Sequence, residues 1–210
     1  MSDWRRFGRL AIVVVVTLAA AVAATGGHES KAAPLGGVRP GPWCGGTLWH
    51  LMTLSDRDRR TVQLHGTPSS VQDIANQVPP KHIVPRRTTI YQRAVWRLVT
   101  VVDRFRIASN GEIVLILYSI SSGKYMNAYF PSQNCLPIYA RNRSGMIAAR
   151  NAFKKACPTP TAEWQLLGAT VDIAGVGFWN PSTATRGALP NGAELRPVTN
   201  FSVLSGCGKG

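Results

Sequence analysis

Beyond Arg93 the chain alternates apolar and polar residues through five separate stretches, and only one stretch among them shows the three-to-four residue spacing of a helix. In residues 93–107, Ala94, Trp96 and Leu98 alternate with Arg93, Arg97 and Val99. Farther on, Phe105 and Ile107 take the apolar phase while Arg104 and Arg106 turn outward. A slip of one residue exchanges the two faces of a strand, so the pattern demands a bulge or sharp bend near Val99 to Val102. Ser109-Asn110-Gly111 has hairpin-turn chemistry and leads to a β-rich second stretch, 112–118. Ser121-Ser122-Gly123 turns the chain into a third, 124–130. Residues 144–157 then place Met146, Ala149, Phe153 and Ala156/Cys157 on one helical stripe. Lys154 and Lys155 lie near the end that the helix dipole makes negative, and Pro158 and Pro160 stop the helix. Residues 166–179, with Ala169, Val171 and Ile173 on one face, and 194–204, with Leu195, Phe201 and Val203 inward, are the last two strands; Gly175 and Gly177 mark another bend.

Three strands, a helix and two strands predict a mostly β fold, a five-stranded barrel of the oligonucleotide/oligosaccharide-binding (OB) kind over 93–207. Residues 44–92 are expected to form a small N-terminal α/β extension, too short to bury a core of its own. Within it, 47–54 and 61–65 are read as strands pairing around the turn Asp56-Arg57-Asp58-Arg59-Arg60, and 69–77 as a short helix with Ser caps. Ahead of this, residues 1–24 have the form of a cleaved signal peptide. Arg5, Arg6 and Arg9 precede an apolar run from Leu10 to Ala24 that is short for a membrane span, and Ala21-Val22-Ala23 supplies a cleavage pattern. Residues 25–43 are rich in Gly, Pro and Ala and are read as a flexible leader.

The export signal implies an extracytoplasmic, oxidising compartment, which turns Cys44, Cys135, Cys157 and Cys207 into candidates for two disulfides rather than a metal site. Of three connectivities, Cys135–Cys157 with Cys44–Cys207 is preferred, because the inner pair brackets the helix and the outer pair joins the ends of the folded region. Charge then narrows the partners. With 24 Lys and Arg against 10 Asp and Glu, the formal net charge is +14, so anionic partners or an anionic cell envelope are the natural expectation. Strand 124–130 alternates Tyr125, Asn127 and Tyr129 with Met126, Ala128 and Phe130. If the second set faces inward, Lys124, Tyr125, Asn127 and Tyr129 form a basic aromatic platform of the kind that stacks single-stranded bases. Arg186, the single charge in the long loop 180–192, and Arg196 join them as ligand-binding candidates.

The segment Gly175-Val176-Gly177-Phe178-Trp179-Asn180, followed by Arg186-Gly187, Asn191-Gly192 and Glu194-Leu195-Arg196-Pro197-Val198, resembles an uncharacterised family of exported bacterial proteins. Its members carry G-V-G-F-F-D, an H-G-Q-x-G-like segment and P-N-G-I-E-L-H-P-V. The likeness runs from about Cys44 to Cys207, with Leu48-Trp49-His50-Leu51 near its start and Met126 to Cys135 resembling M-I-A-E-x-P-x-x-C. This chain departs from the family at Asn180 (for Asp), Thr183 or a neighbour (for the loop His), Arg196 (for the second His) and Tyr129 (for Glu). Any metal or proton chemistry that those groups carry in relatives is therefore lost here.

No phosphate loop, nucleophile elbow or Cys–His pair is present, no cofactor pattern is found, and His50, His65 and His82 lack metal-ligand spacing. The leading expectation is a secreted, non-catalytic module that binds an anionic polymer, either nucleic acid or an envelope component. One alternative is a metal-dependent nuclease or phosphodiesterase using Glu112, Asp172 and Glu194, with Arg186 and Arg196 on the phosphate. Another is an envelope protein-interaction module that uses a barrel edge or the long loop.

Overall fold

The computed structural model describes residues 44–208, so the expected signal peptide and leader lie outside the described residues. The element order is α1 (Trp49–Met52), β1 (Gln63–Pro68), α2 (Val71–Ala75), β2 (Ala94–Ile107), β3 (Ile113–Ser119), β4 (Lys124–Phe130), α3 (Arg143–Ala156), β5 (Gln165–Trp179) and β6 (Ala193–Ser205). The fold is mostly β. One six-stranded sheet runs in the order β1-β2-β3-β4-β6-β5, and β5 pairs back onto β2. The β2–β5 pairing spans Val95↔Val176 to Phe105↔Gln165, while the second half of β2 also pairs with β3 from Val101↔Tyr118 to Ile107↔Ile113. β4 and β6 meet in parallel at Ala128↔Leu195.

Both ladders of β2 shift register between Val102 and Arg104. Against β3 the shift is one extra residue on β2, Asp103, which is the expected phase change; against β5 the extra residue lies instead on β5, between Leu166 and Ala169. Leu98 and Val102 face the core before Asp103 and Phe105 after it, which sends Arg104 and Arg106 outward. The predicted bend at Gly175 and Gly177 is also found as register shifts against β6. Gly177 has a packing reason as well, since a Cβ there would collide with the backbone carbonyl of Tyr91.

The main core lies between the inner face of the sheet and α3. Phe153 of α3 meets Phe105, Phe130 and Phe201 at ring-centroid separations of 5.4–5.6 Å, a packing of edge-to-face and tilted rings. A second cluster covers the other side of β2 and β5, where Leu54 and Val62 pack with Val95, Ala174, Val176, Leu136, Ala140 and Met146. This cover explains why every residue of β5 from Val171 to Trp179 is buried, on both faces of the strand.

The N-terminal region differs from expectation. Residues 49–52 form the short helix α1, not a strand, and β1 pairs in parallel with β2 rather than with the residues before the Asp56–Arg60 turn. The helix at α2 is present, closed by a capping box between Ser70 and Asp73. The region is tied down by Arg87, whose guanidinium is 1% exposed. It bonds the Asp56 carboxylate (2.8 Å from Nη2) and the carbonyls of Gln92 and Leu51. A buried pair so fully satisfied leaves an uncompensated charge when one member is removed.

The expected disulfide connectivity is corrected. The bridges are Cys44–Cys135 and Cys157–Cys207, not Cys135–Cys157 and Cys44–Cys207. The physical reason is the docking of the elements. The start of the extension lies over the segment after β4, whose Leu136 and Ala140 share a cluster with Leu54, and the C-terminal end of α3 meets the end of β6. Among the described residues no helix is long and apolar enough to cross a membrane.

Two measurements follow from this architecture. Non-reducing peptide mapping is expected to recover the 44–135 and 157–207 linked pairs, and recovery of a 135–157 pair would refute the topology of the ends. Arg87→Met is expected to lower stability by about 3–5 kcal/mol in urea melts, through the stranded Asp56 carboxylate; combining it with Asp56→Leu is expected to restore part of that loss.

Candidate functional site

The inward set of β4 is as predicted, with Met126, Ala128 and Phe130 fully buried. The outward set is divided by what covers it. Tyr125 is 43% exposed, whereas Asn127 and Tyr129 are buried at 1% and 7%. Tyr125 lies opposite Tyr118 across the β3–β4 hairpin, ring centroids 4.8 Å apart. Beside them opens a groove of about 300 Å³ lined by Asp103, Arg104, Ile116, Tyr125, Arg186 and Gly187. The bulge puts Arg104 there, with Nε 3.3 Å from the Asp103 carboxylate. Lys124 starts the same strand and is half-buried.

The long loop 180–192 supplies Arg186 and the cover over Asn127. Gly187 has a positive φ of 78° and sits so close to the sheet that a Cβ would stand 2.7 Å from Ile116 and 2.8 Å from the Asn127 carboxamide. The Asn127 amide donates to the Thr185 hydroxyl at 3.4 Å. At the far end of the loop, Asn191 donates to the carbonyls of Ile74, Ala75 and Gln77 and so closes the C-terminal end of α2.

Tyr129 and Arg196 belong to a second cluster, together with two of the three candidate carboxylates. Arg196 forms a two-point ion pair with Glu112, Nε at 3.1 Å from Oε1 and Nη2 on Oε2. Its guanidinium stands over the Tyr129 ring at 4.2 Å and near the Phe178 ring at 5.8 Å, within cation–π range of both. Glu194, 1% exposed, accepts at Oε1 from the Asn180 amide (2.8 Å) and the Tyr129 hydroxyl (3.3 Å), while its Oε2 has no partner among the described residues. Burial pushes the Glu194 carboxyl up to about 7, against the opposing pull of Arg196, Asn180 and Tyr129. Burial, followed by the Glu194 charge, likewise holds the Tyr129 hydroxyl above the usual phenol range.

Asp172 is not part of this cluster. It sits on β5 opposite Val99 and is gripped at both oxygens by Arg97, whose hydrogen bonds hold its carboxyl below the usual range. The described residues contain no group of three or more His, Cys, Asp or Glu side chains placed to hold a metal ion. The structure thus brings Tyr125 and Arg186 together in one place, and Tyr129, Arg196, Glu112 and Glu194 in another. Arg104, which lines the groove, and Tyr118, which stacks on Tyr125 beside it, were missed from the sequence. Their signals were present: the phase change in β2 aims Arg104 outward, and the 121–123 turn sets Tyr118 opposite Tyr125.

The buried acid makes stability depend on pH. Folded Glu194 holds its proton up to about pH 7, well above the 4.5 of an ordinary Glu, so the native state binds more protons than the unfolded chain in this window. Stability contributed by this group is full below about 4.5 and is lost as pH rises through 7, by about 3 kcal/mol. Urea midpoints between pH 5 and 8 are expected to fall for the wild type relative to Glu194→Gln; parallel curves would show that the carboxyl does not titrate there.

Set against known proteins, the chain matches no protein-family model and no curated protein.

Proposed function

We propose that this is an exported, non-catalytic binding module for an anionic polymer, with single-stranded nucleic acid as the ligand class that the groove suits best. The observation that carries the reading is the Tyr118–Tyr125 pair beside Arg104 and Arg186. A half-exposed tyrosine backed by a second ring is a stacking surface, and two guanidinium groups at its border match a phosphate backbone. The net charge of +14 adds long-range attraction for any polyanion.

The finer fold belongs to the same proposal. The pairings run β2-β3-β4-β6-β5 and return to β2, with α3 between β4 and β5, which is the strand order expected of a five-stranded OB-like barrel. In such barrels the face of the second and third strands, with the loop between the fourth and fifth, takes the ligand. Tyr118, Tyr125 and Arg186 occupy those places. Export through a cleaved signal peptide, and kinship with the exported family whose wording the 175–198 segment resembles, fit the two disulfides.

Labelled single-stranded DNA titrated against the oxidised protein is expected to raise fluorescence anisotropy, with affinity falling steeply as salt increases. Tyr125→Ala is expected to weaken binding by about 1–3 kcal/mol. Arg186→Ala is expected to reduce the salt slope by about one phosphate contact. Binding indifferent to salt, or unchanged in Tyr125→Ala, would exclude this groove as the site. A progressive loss of anisotropy in magnesium would revive the nuclease reading.

A further inference from the structure

A second depression, sharing no lining residue with the tyrosine groove, lies between the N-terminal extension and the outer side of β5 and β6. Its volume is about 420 Å³. Leu48 and Met52 of the N-terminal extension, Ile83 and Phe178 form apolar walls, and Thr47, Asn180 and Arg196 supply polar groups. Apolar walls with a few convergent polar groups are the usual composition of a small-molecule site.

The hydrogen-bond arrangement limits what such a molecule can be. Arg196 spends Nε and Nη2 on Glu112 and covers the Tyr129 ring with its plane. Its remaining nitrogen, Nη1, has no hydrogen-bond partner among the described residues. Asn180 accepts the Ser182 N–H at its oxygen and gives one amide hydrogen to Glu194, which leaves the other amide hydrogen to spare. The polar end of the cleft is therefore rich in N–H donors, while its neighbouring acceptors, Glu112 and Glu194 Oε1, are occupied. Charge restricts the choice further. Glu112 already neutralises Arg196, so an anion meets no uncompensated positive charge there, and a cation would approach Arg196 head-on. One polar atom in this cluster is left unsatisfied, the buried Oε2 of Glu194, one hydrogen bond behind Asn180.

We propose that this cleft is a second ligand site, for an uncharged small molecule with an apolar body and an amide carbonyl: the carbonyl oxygen accepts from Arg196 Nη1 and the Asn180 amide, and the apolar body fills the space between Leu48, Met52, Ile83 and Phe178. Arg196 and Asn180 are the binding groups. Glu194 is a positioning residue that fixes Asn180.

The probe is N-benzylacetamide, with benzylammonium and phenylacetate as cationic and anionic analogues of similar size, titrated into the oxidised full chain by saturation-transfer NMR. The amide is expected to bind saturably and at least tenfold more tightly than either ion. Met52→Trp, which fills the cleft from its wall and leaves the ion pair in place, is expected to abolish the signal, and Ile83→Trp to do the same from the other wall. Tyr125→Ala is expected to leave it unchanged, which separates this site from the nucleic-acid groove. Retention of the folded near-ultraviolet spectrum and melting midpoint identifies the variants that report on binding. The proposal is overturned if the amide shows no saturable binding, if phenylacetate or benzylammonium binds as tightly, or if folded Met52→Trp and Ile83→Trp still bind it.

Discussion

A strand that must serve two neighbours and two hydrophobic surfaces cannot keep one pleat phase along its whole length, and β2 resolves the conflict with a single extra residue. Against β3 that residue is Asp103, and the ladder with β5 shifts beside it by one extra residue on β5, as the inward phase passes from Leu98 and Val102 to Phe105. Without that shift, Phe105 would point away from the Phe130–Phe153–Phe201 cluster and Arg104 would point into it. The sheet could not then pair β2 with β3 on one side and β5 on the other while α3 filled the interior. The same residue has a local effect on the surface, because Asp103 and Arg104 both border the groove beside Tyr125. Core packing and the groove beside Tyr125 thus depend on one backbone irregularity, which explains why an arginine lines a surface groove from a strand otherwise committed to the core.

The opposite problem arises on β4 and β6, where Tyr129, Glu194 and Arg196 lie on the side of the sheet away from the core residues Ala128 and Leu195. Left open, these groups would be an ordinary polar surface. Here Phe178, Asn180, the extension and the 180–192 loop cover them, and their energetics change sign. Arg196 requires Glu112, and the pair is supported by an aromatic ring. Glu194 feels Arg196 only through space and has no cation bonded to it, so it retains an unpartnered oxygen and prefers its proton. The cover is itself secured by a buried ion pair, Arg87 with Asp56, and by the Cys44–Cys135 bridge. A polar cluster held dry by a crosslinked extension is not needed to close the main core, which α3 already closes.

What could be read from the sequence follows the range of the interaction. Strands β2 to β6 and α3 were legible because alternation, helical spacing and turn residues act within about a dozen positions; even the phase change in β2 was visible as a slip in the apolar pattern. The turn at 121–123 was equally clear. Residues 47–54 misled because a four-residue helix has almost no periodicity, and its apolar Leu48, Trp49 and Leu51 suit either form. The disulfide pairing was hidden because it depends on which elements dock, and a bracketed helix gave the wrong neighbours. Asn127 and Tyr129 alternate with core residues just as Tyr125 does, and their burial is set by Gly187, Thr185 and Arg196 from more than fifty residues away. Alternation tells which residues leave the core. It does not tell which of them reach water.

The 180–192 loop carries that distinction to the groove beside Tyr125. Length and small residues alone point to a mobile segment, yet its anchors are distributed along it. Asn180 N–H bonds the Gly192 carbonyl and closes the base. Thr185 and Gly187 rest on Asn127 and Ile116, and Asn191 closes α2 with three hydrogen bonds. Between these anchors Arg186 is exposed with its backbone fixed on either side. A guanidinium carried on a seated backbone loses less freedom on meeting a phosphate than one on a free loop, so more of the contact survives as affinity. The same loop begins at Asn180, which faces the other cleft and Glu194. Loss of the Gly187 seat would therefore loosen the groove first, because Asn180 has its own bonds to Gly192 and Glu194 and does not depend on the loop's midpoint for its position.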